Sequence, residues 1–249
     1  MRKFNLFAIL TIAWFCTLPI QADTFTFVWA DPSVPGTIGN LGTSHTFTIN
    51  GMSITALVYN DDGSTTGNAL YGKNGGGDET GLGTTKDPTG DTEITYNDYV
   101  QLDFSNVLKN YTITSATLKI NSDTTNGALT EGYAVYGSQA DDGTLIKTTN
   151  PVSGTIPGAG STPLTGTGEP NLSIAGLLST FSVLTVTETT KPSSSGQNQG
   201  QPNILIGTLT ITATPDTVQS PKAPEPATFG LIGLSLVGLG IFARKARRH

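Results

Sequence analysis

Across residues 23–213 the chain is built of short runs in which apolar and polar residues alternate. Each run is bounded by clusters of Gly, Asn, Asp and Ser. A period of two marks a half-buried strand. Phe25-Thr26-Phe27-Val28-Trp29 is the first such run. Residues 45–49 and 52–59 follow, joined by Asn50-Gly51. That pair accepts positive φ and predicts a two-residue hairpin. Strands are predicted again over 99–104 and 111–120. In the second of these, Tyr111 and Ile113 share one parity, while Ala116, Leu118 and Ile120 share the other. The switch near Ser115 predicts a bulge. Runs at 133–136, 144–147, 181–187 and 203–213 complete the set, the first two expected to pair across Asp141-Asp142-Gly143. Residues 61–92 and 151–170 read as polar loops, and 173–179 as a helical turn. No long stretch has a period of 3.6 residues. About nine strands with polar turns predict an all-β, antiparallel β-sandwich of jelly-roll type as the ectodomain.

The two ends of the chain break this pattern. Arg2-Lys3 precede an apolar stretch over 4–18, and Pro19-Ile20-Gln21-Ala22 ends on a small residue. Residues 1–22 read as a secretory signal peptide, cleaved between Ala22 and Asp23 and exported through the Sec machinery. At the other end a proline-spaced stalk over 214–223 leads to Pro224-Glu225-Pro226, an apolar run over 227–243 and a basic tail over 244–249. The prolines hold their own φ and bias each preceding residue to extended backbone, so the tripeptide is presented open. As a helix the uncharged core of the run spans roughly 25 Å, near the lower limit for a bilayer. One transmembrane helix is predicted over 227–243. Arg244, Lys245, Arg247 and Arg248 directly after it predict a cytoplasmic C-terminus.

Tripeptide, apolar run and basic tail, in that order over 224–249, resemble the PEP-CTERM sorting signal of exported bacterial surface proteins. The resemblance implies that Pro224, Glu225 and Pro226 are read by exosortase, an integral-membrane processing enzyme. It implies that the helix and basic tail hold the precursor in the inner membrane of a Gram-negative cell until it is cut. It also implies a cell-surface or extracellular-matrix destination linked to exopolysaccharide and biofilm. A second stretch is similar to a segment recurring in PEP-CTERM exported domains. It comprises Gly81-Leu82-Gly83-Thr84, Asp91-Thr92-Glu93-Ile94, Val100-Gln101-Leu102-Asp103-Phe104 and Gly132-Tyr133-Ala134-Val135-Tyr136-Gly137.

Charge sharpens the contrast between cargo and ends. All 19 acidic residues lie over 23–225, with only 7 Lys and no Arg beside them, so the exported part carries −12. An acidic domain without Arg is poorly suited to nucleic acid, whose phosphates need clustered cations. Its single Cys, Cys16, lies in the signal peptide, which leaves the mature domain without a disulfide or a thiol nucleophile.

Candidate chemistry is thin, and no catalytic residue or cofactor is assigned. His45 is the only His outside the tail and reads as an exposed strand-end residue. Zinc would need more His or Cys. Loop carboxylates offer calcium ligands at Asp61-Asp62, Asp78-Glu79, Asp87 with Asp91 and Glu93, and Asp141-Asp142, none with the spacing of a dedicated loop. Nothing selects a carboxylate pair for a glycoside hydrolase. A carbohydrate-binding module is the alternative to a structural or adhesive role. Its stacking platform would come from Trp29, Tyr59, Tyr71, Tyr96, Tyr99, Tyr133 and Tyr136.

Overall fold

The computed structural model describes residues 21–86, 90–121, 132–138, 164–167, 169–190 and 202–216. The strand expected at 144–147, its turn, the apolar run at 4–18 and the segment 217–249 lie outside these residues. The strands are β1 (Asp23–Val28), β2 (Gly39–Gly42), β3 (Ser44–Ile49), β4 (Met52–Asn60), β5 (Leu70–Asn74), β6 (Thr80–Thr84) and β7 (Ile94–Thr95). They continue with β8 (Asp98–Asp103), β9 (Tyr111–Asn121), β10 (Gly132–Ser138), β11 (Leu164–Thr167), β12 (Asn171–Ser173), β13 (Val183–Glu188) and β14 (Asn203–Pro215). Two short helices, α1 (Ser105–Asn110) and α2 (Ala175–Leu178), join them. No helix among the described residues is long and apolar enough to cross a membrane.

Two antiparallel sheets result. One runs β12-β9-β14-β6-β5-β2, with β1 and β7 also paired to β14. The other runs β11-β10-β13-β8-β4-β3. The alternation seen in the sequence decides which side chains face inward. Met52, Ile54, Ala56 and Val58 of β4 join Val100 and Leu102 of β8 in one buried cluster with Leu118, Ile206, Leu209 and Ile211 of the other sheet. Trp29 is fully buried in the same cluster, with Phe47 edge-on at 4.8 Å. Burial of this apolar surface is the main force holding a domain that has no disulfide.

The hairpin expected at Asn50-Gly51 is present. Ile49 pairs with Met52, and the two turn residues have φ of 49° and 85°, the twist that suits a hairpin. The parity switch is present too. Ser115 pairs with Thr212 and Ile113 with Ala213, so Thr114 bulges out of β9. The helical turn within 173–179 is α2.

Residues 61–92 are not one loop. They hold β5, a 3-10 turn at Gly77–Glu79 and β6. Glycine lowers strand propensity and hid both strands, yet close backbone contacts require it there. A Cβ on Gly72 would stand 1.8 Å from the Thr37 carbonyl oxygen, and one on Gly81 2.4 Å from that of Ile206. Residues 151–170 likewise include β11, which pairs with β10. Helix α1 follows Asp103, whose carboxylate accepts the Ser105 N–H at 2.7 Å.

Candidate functional site

The last strand determines where the chain leaves the fold. β14 is flanked along one side by β9 and along the other by β7, β6 and β1 in turn. Its residues from Asn203 to Ile211 are buried or partly buried, which makes the final strand a central one. It continues to Pro215, two residues past the expected domain boundary at 213. Backbone contacts divide the chain into Met1–Pro215 and Asp216–His249.

β1 begins at Asp23, the first residue after the expected signal cleavage, and Asp23 pairs with Ala213. Entry to and exit from the fold therefore lie at one pole. Asp23 is exposed there and Ala22 partly buried. A cleft of about 360 Å³ opens at this pole, lined by Asp23, Thr24, Phe25, Asn50, Tyr111 and Pro215. Pro224, Glu225, Pro226, Arg244, Lys245, Arg247 and Arg248 lie outside the described residues.

Other sequence candidates fare differently. The aromatic platform does not form. Trp29, Tyr59, Tyr96, Tyr99, Tyr133 and Tyr136 are all buried, and of the seven only Tyr71 is partly exposed. Tyr59 and Tyr99 stack on each other at 5.4 Å, and burial pushes the Tyr99 hydroxyl well above its usual pKa. The strand alternation had offered these rings to either face, and close packing claims them. His45 is half-buried rather than exposed. It packs edge-on against Phe47 at 4.6 Å, and burial lowers its pKa.

The loop carboxylates are engaged elsewhere. Asp62 accepts the Ser64 N–H at 2.8 Å, and Asp78 pairs with Lys119 at 2.9 Å. Among the described residues no three His, Cys, Asp or Glu side chains converge as a metal site. Asp87, Asp141 and Asp142 lie outside the described residues.

Three acids are buried among the described residues: Asp98, Glu188, and Glu93, which the sequence offered only as a calcium ligand. Glu188 is fully buried, and its carboxylate accepts N–H groups of Gly132 at 3.2 Å, Thr190 at 2.8 Å and Thr189. Burial raises its pKa and outweighs those hydrogen bonds, which lower it. Glu93 is 2% exposed and forms an ion pair with Lys73, whose ammonium also meets Glu79 at 2.6 Å. Burial lowers the Lys73 pKa, but bonds to the two carboxylates outweigh it and the net shift is upward.

The Gly-Leu-Gly element explains how Glu93 arrives there. Leu82 points into the core, while Gly83 sits under the backbone of Thr92 and Glu93. A Cβ at Gly83 would lie 2.1 Å from the Thr92 carbonyl oxygen. The Thr84 hydroxyl lies 2.9 Å from the Glu93 carbonyl oxygen and 2.8 Å from the Asp98 carboxylate, one proton serving both acceptors, and so ties the segment to β8. No signal in the sequence paired Lys73 with Glu93, since their contact depends on strands that the glycines concealed.

A comparison with curated proteins finds no match. Among solved structures, a DUF4465 family protein from Bacteroides ovatus is similar at 8% identity over 77% of this chain and 99% of that one. Its TM-score is 0.28, too low to support an argument. The C-terminal region compares clearly: residues 222–248 match the family model of the PEP-CTERM protein-sorting motif, and the chain carries that motif around Pro224-Glu225-Pro226.

Proposed function

We propose that this chain is an exported surface protein of PEP-CTERM type, delivered as a membrane-anchored precursor and cut by an exosortase. The cargo is a folded β-sandwich with a structural or adhesive role at the cell surface or in the extracellular matrix, in a setting of exopolysaccharide and biofilm. The observation that carries the reading is the sorting motif at residues 222–248. The order of its parts supplies the chemistry: an open tripeptide for recognition, an apolar run for retention and a basic tail that resists translocation.

The fold supports this in two ways. β1 starts at Asp23, where a signal peptidase acting after Ala22 would leave the new N-terminus. Asp23 and Ala213 are paired, so the domain can fold with both chain ends directed to one membrane. The burial of the tyrosines favours the structural role over a sugar-stacking module. A non-enzymatic role fits a domain whose one His is packed against Phe47.

An epitope placed after His249 tests the sorting half. In cells with the processing enzyme the epitope is expected to vanish from the mature protein while the β-domain persists. In cells lacking the enzyme, and for the variant with Pro224, Glu225 and Pro226 all changed to Ala, the tagged precursor should accumulate in the membrane. A mature surface protein that keeps the epitope in enzyme-containing cells overturns the proposal.

A further inference from the structure

We propose that Lys73 and Glu93 are joined by an intramolecular isopeptide bond, formed by condensation of their side chains with Glu79 as proton carrier. The argument begins with the geometry of three side chains. Lys73 Nζ contacts Glu93 Oε1 and stands 2.6 Å from Glu79 Oε2. The three are unequally exposed: Lys73 19%, Glu79 41% and Glu93 2%. The Lys73 nitrogen therefore touches a desolvated carboxylate on one side and a more solvated one on the other.

The backbone holds this contact in place. Gly81 and Gly83 present no side chains on the face of β6 beside Lys73, which pairs with Gly81 across β5 and β6. The space at Gly83 admits Thr92 and Glu93 against β6, while that at Gly81 admits Ile206 of β14. Thr92 has φ of 62°, a left-handed conformation that a β-branched residue rarely adopts. Ile94 is fully buried and pairs with Ile204, and Thr84 clamps the Glu93 carbonyl. Strained backbone immediately before a buried, paired carboxylate is the pattern expected where structure is maintained for chemistry.

The reaction balances without a co-reactant. The ammonium of Lys73 passes one proton to Glu93, giving an amine beside a carboxylic acid. The amine lone pair attacks Cδ of Glu93 and a C–N bond forms. Glu79 takes a second proton from Nζ and delivers it to the Glu93 hydroxyl. The C–O bond breaks, water leaves, and Glu79 returns to its carboxylate form. The product is an amide between β5 and the segment entering β7. The two carboxylates stabilise the Lys73 ammonium, so attack proceeds from the minor fraction in which the first transfer has taken place. Fixed contact replaces a bimolecular encounter, and effective molarities of about 10⁵–10⁸ M are available to well-oriented groups. Such a staple suits an exported domain with no cysteine.

Peptide mapping of the full mature protein tests the proposal. Wild type is expected to give one branched peptide joining Lys73 to Glu93, lighter than its two parts by one water. Lys73→Arg and Glu93→Ala should give linear peptides of full mass, and Glu79→Gln a smaller branched fraction. Linear wild-type peptides with a free Lys73 amine overturn it. So does a loss of water traced wholly to an Asp-Gly site. The wild-type map decides by itself, so a variant that fails to fold does not obscure the answer.

Discussion

Gly83→Ala probes the junction on which the candidate site depends. The added Cβ would lie 2.1 Å from the Thr92 carbonyl oxygen, 2.9 Å from Glu93 Cα and 3.0 Å from Leu205 Cδ2. The nearest of these is well inside the ~3.5 Å at which carbon contacts become favourable. Two of the three obstacles are backbone atoms, so a rotamer change cannot relieve the clash. Overpacking costs about 1–3 kcal/mol, and backbone obstruction puts this case near ~3 kcal/mol. In a domain of this size that lowers the melting temperature by roughly 6–12 °C. The control is Gly176→Ala in α2, where nothing lies within 4 Å of the new Cβ. Alanine there should raise stability by about 0.4–1 kcal/mol through the unfolded chain. Both variants are melted by circular dichroism beside wild type. If Gly83→Ala melts as high as Gly176→Ala, Thr92 and Glu93 do not pass over β6 as described and the close-approach argument fails.

Three further outcomes follow from the fold. Ile211→Ala, fully buried in β14, should cost about 2–5 kcal/mol in a urea titration. Gly51→Ala should cost roughly 1–2 kcal/mol by the same measurement, because φ is 85° there while the nearest atom, Tyr111 Oη, is 4.0 Å away. Glu188 has a pKa raised above its unfolded value, so its contribution is fully present below the unfolded pKa and is lost as pH rises through the folded one. Glu188→Gln should therefore gain stability relative to wild type between pH 4 and pH 7; a constant difference across that range would contradict the burial argument.

Period-two alternation was enough to read the strands with large apolar residues. β4 shows why: Met52, Ile54, Ala56 and Val58 all face the core. The Thr114 bulge was equally legible, because a bulge shifts the parity of every later side chain. β5 and β6 were not legible. Each buries one leucine: in β5 Gly72 takes the next position of Leu70's parity, and in β6 Leu82 alternates with Thr80 and Thr84 while both glycines lie on the other face. The Lys73–Glu93 contact was hidden for the same reason. Periodicity also could not reveal which tyrosines end up packed, since both faces of the β8 sheet bury aromatic rings: Phe47 of β3 lies in the main cluster and Tyr99 of β8 in a second one. The sorting signal was legible throughout, because its message is linear order rather than folded geometry.

That message is tested most directly by sequencing the C-terminal peptide of the protein recovered from the cell surface or medium of an exosortase-containing host. The account predicts a C-terminus at or near Pro224-Glu225-Pro226, with no peptide from residues 227–249. Recovery of surface protein that still ends in the basic tail, with Arg244, Lys245, Arg247 and Arg248 intact, would contradict it.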